Sequence, residues 1–245
     1  NGMPDAREVV ADYVARTRGI ECGADEVTIV PGGKPTMFYA MLALIDVGDE
    51  VIYPNPGFPI YESMINFVKG KAVACPLREV NGFALDPQDL ISRITPKTKM
   101  VILNSPANPT GGVTERAELE AVLKVLKDYP DIWILSDEIY ARMLYDGIEH
   151  VSPMQDPEIR DRVILLDGWS KTYAMTGWRI GYLAGDANLV KAISKLQGQS
   201  TSCPNSIAQF AAMEALSGDQ KCVDEMKQIF HERRDLILKE LKKNM

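Results

Sequence analysis

An α/β fold of three layers, with helices on both faces of a mostly parallel central sheet, is predicted by three features of the sequence. Short apolar segments alternate with stretches of helical period. Those segments lack a polar side, as strands buried on both faces do. Turn-forming Gly, Pro, Asn and Asp follow most of the segments. Strands and helices alternating in this way build a parallel sheet sheltered by helices.

The elements follow in order. After a helical lead-in over about residues 1–26, the first strand is expected at 27–30, and the turn 31–33 delivers a buried helix at 34–45. A strand at 51–53, a helix at 60–68, a strand at 72–77 and a short helix at 87–94 come next. The strand at 100–103 runs into the turn-rich segment 104–112. Thr114 is the expected N-cap of a helix reaching about 129, with Glu115 and Glu118 placed favourably near its positive end. Further strands are expected at 132–135, 163–166 and 180–183, and a long amphipathic helix at about 219–243. The α/β core thus covers 27–217 and a long helix covers 218–245, with no repeat or linker between them. In such sheets ligands bind beyond the carboxyl ends of the strands, and the informative motifs all fall there.

Composition narrows the function. The chain has 245 residues, 46% hydrophobic and 25% charged, enough for a sizeable core. A net charge of −7 argues against nucleic acid and anionic membranes as partners. Cys22, Cys75, Cys203 and Cys222 are widely spaced and form no C-x-x-C pair, so they are read as reduced thiols of a cytoplasmic protein. His150 and His231 lack partners at metal-ligand spacing, so no metal site is expected. The opening residues do not resemble a signal peptide, and the longest apolar stretch, around 38–44, is too short to cross a bilayer.

Six motifs carry chemistry. Lys171 ends a buried apolar run, and Arg179 follows eight positions later across a small-residue loop. A desolvated lysine amine becomes nucleophilic and forms Schiff bases with aldehydes, and an arginine fork grips a phosphate. A lysine at a strand end is also, more often, a solvated charge. Gly32-Gly33-Lys34 lies between a strand and a helix, where free N–H groups suit a phosphate, although many such turns carry glycine for geometry alone. It is neither a P-loop nor a dinucleotide fingerprint. Phe58, in a proline-stiffened loop, is either a stacking face for a flat ring or a core residue. Asn108 precedes a proline, which displays it or simply makes a turn. Asp137 sits in an apolar context and needs a partner: a protonated ring nitrogen, a structural ion pair or a helix N-cap. Tyr140 offers a hydroxyl nearby.

Taken together, Gly32-Gly33-Lys34, 104–112, 136–140 and 170–182 resemble the class I aminotransferases of fold type I, nearest to the bacterial aspartate-aminotransferase-like subgroup, over nearly the whole chain. The resemblance implies pyridoxal phosphate as cofactor. It implies that Lys171 forms the Schiff base and carries the proton, and that Asp137 pairs with the pyridinium nitrogen. It implies that Asn108 and Tyr140 bond the ring's phenolic oxygen and that Phe58 stacks on the ring. Arg179, with the N–H groups of Gly33 and Lys34, is implied to hold the phosphate. The implied activity moves an amino group from an α-amino acid, aspartate or a related one, to a 2-oxo acid, in a homodimer. Other fold type I chemistry (C–S lysis, decarboxylation) and a non-catalytic effector domain are the alternatives.

The sequence departs from the family pattern in places. Many relatives carry a phosphate-binding serine three residues before the lysine, where this chain has Gly168, and Ser170 is the candidate substitute. Family chains extend further at both ends. No residue here matches the arginine expected on a small domain to grip the substrate carboxylate. The expectation is therefore a cofactor-binding large domain that holds the cofactor and transaminates poorly by itself.

Overall fold

The computed structural model describes residues 1–243; residues 244 and 245, the last two of the expected terminal helix, lie outside the described residues. The chain opens with helix α1 (Pro4–Arg18), which begins on a proline at its N-terminus and stops at Gly19. Gly19 has φ +65°, the left-handed conformation that glycine adopts without a Cβ penalty. Strand β1 (Val27–Val30) leads into helix α2 (Lys34–Leu44). Then come β2 (Glu50–Asn55), α3 (Ile60–Phe67), β3 (Lys71–Pro76) and the short α4 (Pro87–Ile91). Strand β4 (Thr98–Asn104) precedes α5 (Arg116–Leu126), which β5 (Trp133–Asp137) follows. Strand β6 (Val163–Gly168), the four-residue helix α6 (Trp169–Thr172) and β7 (Gly181–Ala184) complete the sheet. Helices α7 (Ala187–Ser200), α8 (Ser206–Ser217) and α9 (Lys221–Lys243) end the described chain.

The seven strands lie in the order β1-β7-β6-β5-β4-β2-β3. Strand β7 runs antiparallel to both of its neighbours, and the other pairs are parallel. The two-residue period of a strand divides the core into two halves. Val101, Leu103, Ile134, Val163 and Leu165 pack on one face with α1, α5 and α8. Met100, Ile102, Leu135, Ile164 and Leu166 pack on the other with α2, α3 and α7. Burial on both faces is why these strands alternate between two apolar sets rather than between apolar and polar residues.

Two expectations change. Glu115, not Thr114, caps α5: its N–H donates to Glu118 Oε2 at 2.7 Å, whereas the Thr114 N–H is taken by Ser105 Oγ at 2.9 Å. The strand after Arg179 enters the sheet from the opposite direction, so its amino end, not its carboxyl end, lies beside Gly168 and Val30. Helix α9 stands apart from the core. Of its residues only Val223 is buried, and Phe230, Leu236, Ile237, Leu238 and Leu241 are exposed.

Candidate active site

The carboxyl ends of β1, β4, β5 and β6 and the amino end of β7 meet at one edge of the sheet. A cleft with an empty volume of about 710 Å³ opens there. All nine residues singled out from the sequence line it: Gly33, Lys34, Phe58, Asn108, Asp137, Tyr140, Ser170, Lys171 and Arg179. Segments far apart in sequence converge because each follows a strand of the same sheet.

Lys171 is carried by α6. Trp169, in the same turn, is buried and donates its indole N–H to the Ala212 carbonyl at 3.0 Å. Its ring stands edge-on to Tyr182 at 5.4 Å. This nail fixes the turn and leaves the Lys171 amine 5.5 Å from the centre of the Tyr140 ring. The Tyr140 hydroxyl accepts from Asn108 Nδ2 at 3.4 Å. Asn108 is itself held, its N–H donating to Asn104 Oδ1 at 2.9 Å. The Lys34 amine lies 5.5 Å over the Phe58 ring, and that ring meets Tyr61 edge-on at 6.0 Å.

Asp137 is buried. Tyr61 donates to its Oδ2 at 2.7 Å, and the Ile139 N–H donates to Oδ1 at 3.3 Å. Burial pushes its carboxyl up to about 6, against those two hydrogen bonds, and the nearby charges of Asp167 and Glu138 push the same way. The groups acting most strongly on Asp137 are neutral donors and further anions, and among the described residues it forms no salt bridge. A carboxylate in that setting fits a protonated ring nitrogen.

Three further glycines pack against one another beside Arg179. A Cβ on Gly168 would lie 2.8 Å from the Gly181 Cα, and a Cβ on Gly181 would lie 2.9 Å from the Gly32 carbonyl carbon. The three backbones therefore stack in contact. At Gly32, φ is +89°, and a Cβ would sit 2.2 Å from Arg179 Nη2. Arg179 occupies the space that the missing side chain leaves, with its Nη1 donating to the Thr176 carbonyl at 2.9 Å. The guanidinium and the start of α2 at Gly33 and Lys34 face one cleft; further along that turn Pro35 has no N–H and the Thr36 N–H is taken by the Gly33 carbonyl at 3.1 Å. This is a cradle of the right chemistry for a phosphate. The close approach at Gly168 also explains the absent serine: no side chain fits there without moving β7, while Ser170 lines the cleft.

The model for aminotransferase class I and II matches residues 1–244. The chain belongs to that family. Members of the aspartate aminotransferase family depend on pyridoxal phosphate, and the cleft fits that group. Among curated relatives, the aspartate aminotransferase of Rhizobium meliloti strain 1021 is 40% identical over 239 residues, covering 97% of this chain and 58% of its own length. The aspartate/prephenate aminotransferase of Cereibacter sphaeroides is 41% identical over 239 residues, covering 97% and 60%. The crystal structure of the Rhizobium meliloti aspartate aminotransferase superposes with a TM-score of 0.94 at 40% identity, over 97% of this chain and 60% of that one. The chain thus spans about 60% of the length of the relatives it matches.

Sequence reasoning missed Tyr61, which reads as an ordinary core residue of α3. It also missed Met37, Ile139, Leu166 and Thr176 on the cleft wall. Thr176 sits in the quoted stretch around Arg179 and could have been found; the others carry only an apolar signal. Among the described residues, no cluster suits a metal ion and no helix is long and apolar enough to cross a membrane.

Proposed function

We propose that this chain binds pyridoxal phosphate in the cleft and forms the catalytic half of an aminotransferase. It would transfer the amino group of an α-amino acid, aspartate or a close analogue, to a 2-oxo acid. The carrying observation is the convergence of a lysine amine, a buried carboxylate with no salt bridge among the described residues, and an arginine beside a glycine-lined helix start. The donor class is supported by the names of the two relatives, an aspartate and an aspartate/prephenate aminotransferase.

The bound cofactor supplies an aldehyde that condenses with amines and a ring that takes up the electron pair of the bond being broken. The residues do the rest. Arg179, Ser170 and the N–H groups of Gly33 and Lys34 hold the phosphate, setting the register of the ring. Phe58 covers one face of the ring. Asn108 and Tyr140, already hydrogen-bonded to each other, donate to its phenolic oxygen. Asp137 keeps the ring nitrogen protonated. Lys171 would supply the amine that condenses with that aldehyde, with loss of water, and its Nζ would hold and move the proton.

Three wider assignments belong to the same proposal. Exposed Ile207 and Phe210 on α8 support a face covered by a second copy of the chain. The uncovered apolar residues of α9 support its role as the helix joining this large domain to a further one. Four free cysteines support a cytoplasmic setting.

The test is chemical. The protein is mixed with pyridoxal phosphate, reduced with borohydride, digested and mapped. The label is expected on Lys171 and lost in Lys171→Ala. A folded, cofactor-saturated protein labelled elsewhere or not at all would refute the proposal.

A further inference from the structure

Behind the cleft, on the α1 face of the sheet, lies a buried set of charges that none of the roles above uses. Strand alternation places it there. On β5, Leu135 packs toward α2 and α3 and Asp137 meets Tyr61 of α3, so Ser136 and the next residue, Glu138, turn toward α1. The ladder still holds at that point, since the Glu138 N–H donates to the Leu166 carbonyl at 2.9 Å. On β6, Leu166 packs toward α2 and α3, so Asp167 also turns toward α1.

Arg18, the last residue of α1, reaches both acids. Its Nε and Nη2 donate to Glu138 Oε2 at 3.1 and 2.9 Å, and Nη2 also donates to Asp167 Oδ2 at 3.0 Å. All three side chains are at most 5% exposed. Both carboxylates are tied a second time. Glu138 accepts from Ser136 and Ser152 at 2.8 and 2.6 Å and meets His150 Nε2 at 2.7 Å. Asp167 accepts from the Gly168 N–H at 2.7 Å and from the Tyr182 hydroxyl at 3.1 Å.

We propose that Arg18 is a positioning residue: a buried brace that fixes the spacing of Asp137 and Lys171 by clamping the residue after the first and the residue four before the second. Its meaning for catalysis rests on the function proposed above; the clamp itself rests on the distances. The energetics favour this reading over a purely stabilising one. Well-packed apolar residues of similar volume stabilise a core as well as a buried ion cluster does, so such a cluster is weak as a source of stability. What it contributes is a defined geometry, because a planar guanidinium engages two carboxylates only in one arrangement, which a lysine ammonium cannot reproduce. Burial alone would raise the Glu138 carboxyl, yet Arg18 and His150 outweigh it and hold it at about 2. That arm of the brace therefore stays ionised throughout the pH range of an assay.

Asp167→Asn and Glu138→Gln each cut one arm and leave Arg18 in a neutral pair with the other acid. Hydrogen exchange is read segment by segment, without cofactor. In Asp167→Asn, exchange over residues 168–174 is expected to rise about tenfold with 134–138 unchanged, and Glu138→Gln should do the reverse. With pyridoxal phosphate and borohydride, both variants and Arg18→Lys should label position 171 about tenfold more slowly, the scale of a small misplacement of a reacting group. Wild-type exchange and labelling in the two acid variants would overturn the brace, as would wild-type labelling in Arg18→Lys, since charge alone would then suffice. If Arg18→Lys does not fold, the acid variants decide. If the wild-type chain takes no label at Lys171, the proposed function falls, and the exchange experiment still judges the brace.

Discussion

Replacing Asp137 by asparagine should stabilise the cofactor-free protein at neutral pH and do little in acid. The folded protein lifts this carboxyl from the ordinary 3.8 to about 6, chiefly by burial. Because the folded value lies above the unfolded one, folding favours the protonated acid. The group's full contribution is present below about pH 4 and is lost as pH rises through about 6. At about 1.4 kcal/mol per pH unit between the two values, ionisation at pH 7 costs the ligand-free fold roughly 3 kcal/mol. The substituted amide has no such titration; with its oxygen toward the Ile139 N–H, its NH2 takes the other position and donates to the Tyr61 hydroxyl oxygen. The assay is urea unfolding of both proteins, followed by circular dichroism, from pH 4 to 8 without cofactor. The stability difference between the two should grow by about 3 kcal/mol toward neutral pH, with most of the change between pH 4 and 6. A difference that stays flat across that range would refute the reasoning, because the acid would then titrate alike in the folded and unfolded chain.

Other outcomes follow from the same geometry. Tyr61→Phe removes a buried hydroxyl that donates to Asp137 at 2.7 Å; unfolding free energy should fall by about 1–3 kcal/mol at pH 7 and by much less at pH 4, where the acid is protonated. Gly32→Ala places a methyl 2.2 Å from Arg179 Nη2 and forces the arginine aside. Titration by cofactor fluorescence should show pyridoxal phosphate binding weakened at least ~10-fold and unphosphorylated pyridoxal binding weakened much less, since the phosphate contact is the main loss beside the backbone strain at a φ of +89°. Arg234→Ala, on α9, cuts a surface pair with Asp146 of the loop between β5 and β6; the thermal midpoint should not move measurably, as is usual for solvent-exposed ion pairs.

The cleft was legible because its chemistry is written in short contiguous stretches, each just past a strand. Asp137 stood out as an acid at the end of an apolar run, and Lys171 and Arg179 as cations framing a small-residue loop. Residues whose meaning depends on a distant partner were silent. Tyr61 lies 76 positions from Asp137, and Arg18 lies 120 from Glu138 and 149 from Asp167. Tyr61 has the pattern of any buried helix residue, and Arg18 that of any basic residue closing a helix. The antiparallel run of β7 was equally hidden, since a four-residue strand carries no sign of its direction. Helix ends slipped for a local reason: Thr114 has the better cap chemistry, but Ser105 already engages its N–H.

The two faces of β5 divide one problem between them. Adjacent acids at a strand end repel each other and resist burial, so both cannot remain ionised without help. On the α1 side Glu138 receives that help permanently from Arg18, His150 and two serines. On the cleft side Asp137 receives only neutral donors and feels its neighbours' negative charge. Filling the Asp137 site with a resident lysine or arginine would stabilise the empty fold, yet it would remove the reason for a protonated ring nitrogen to bind. The roughly 3 kcal/mol that ionised Asp137 costs the empty protein becomes available as binding free energy when such a cation arrives, a factor on the order of 100 in affinity. An unpaired acid beside a saturated one is therefore the arrangement expected of a strand end that must stay rigid while keeping one charge open for a ligand.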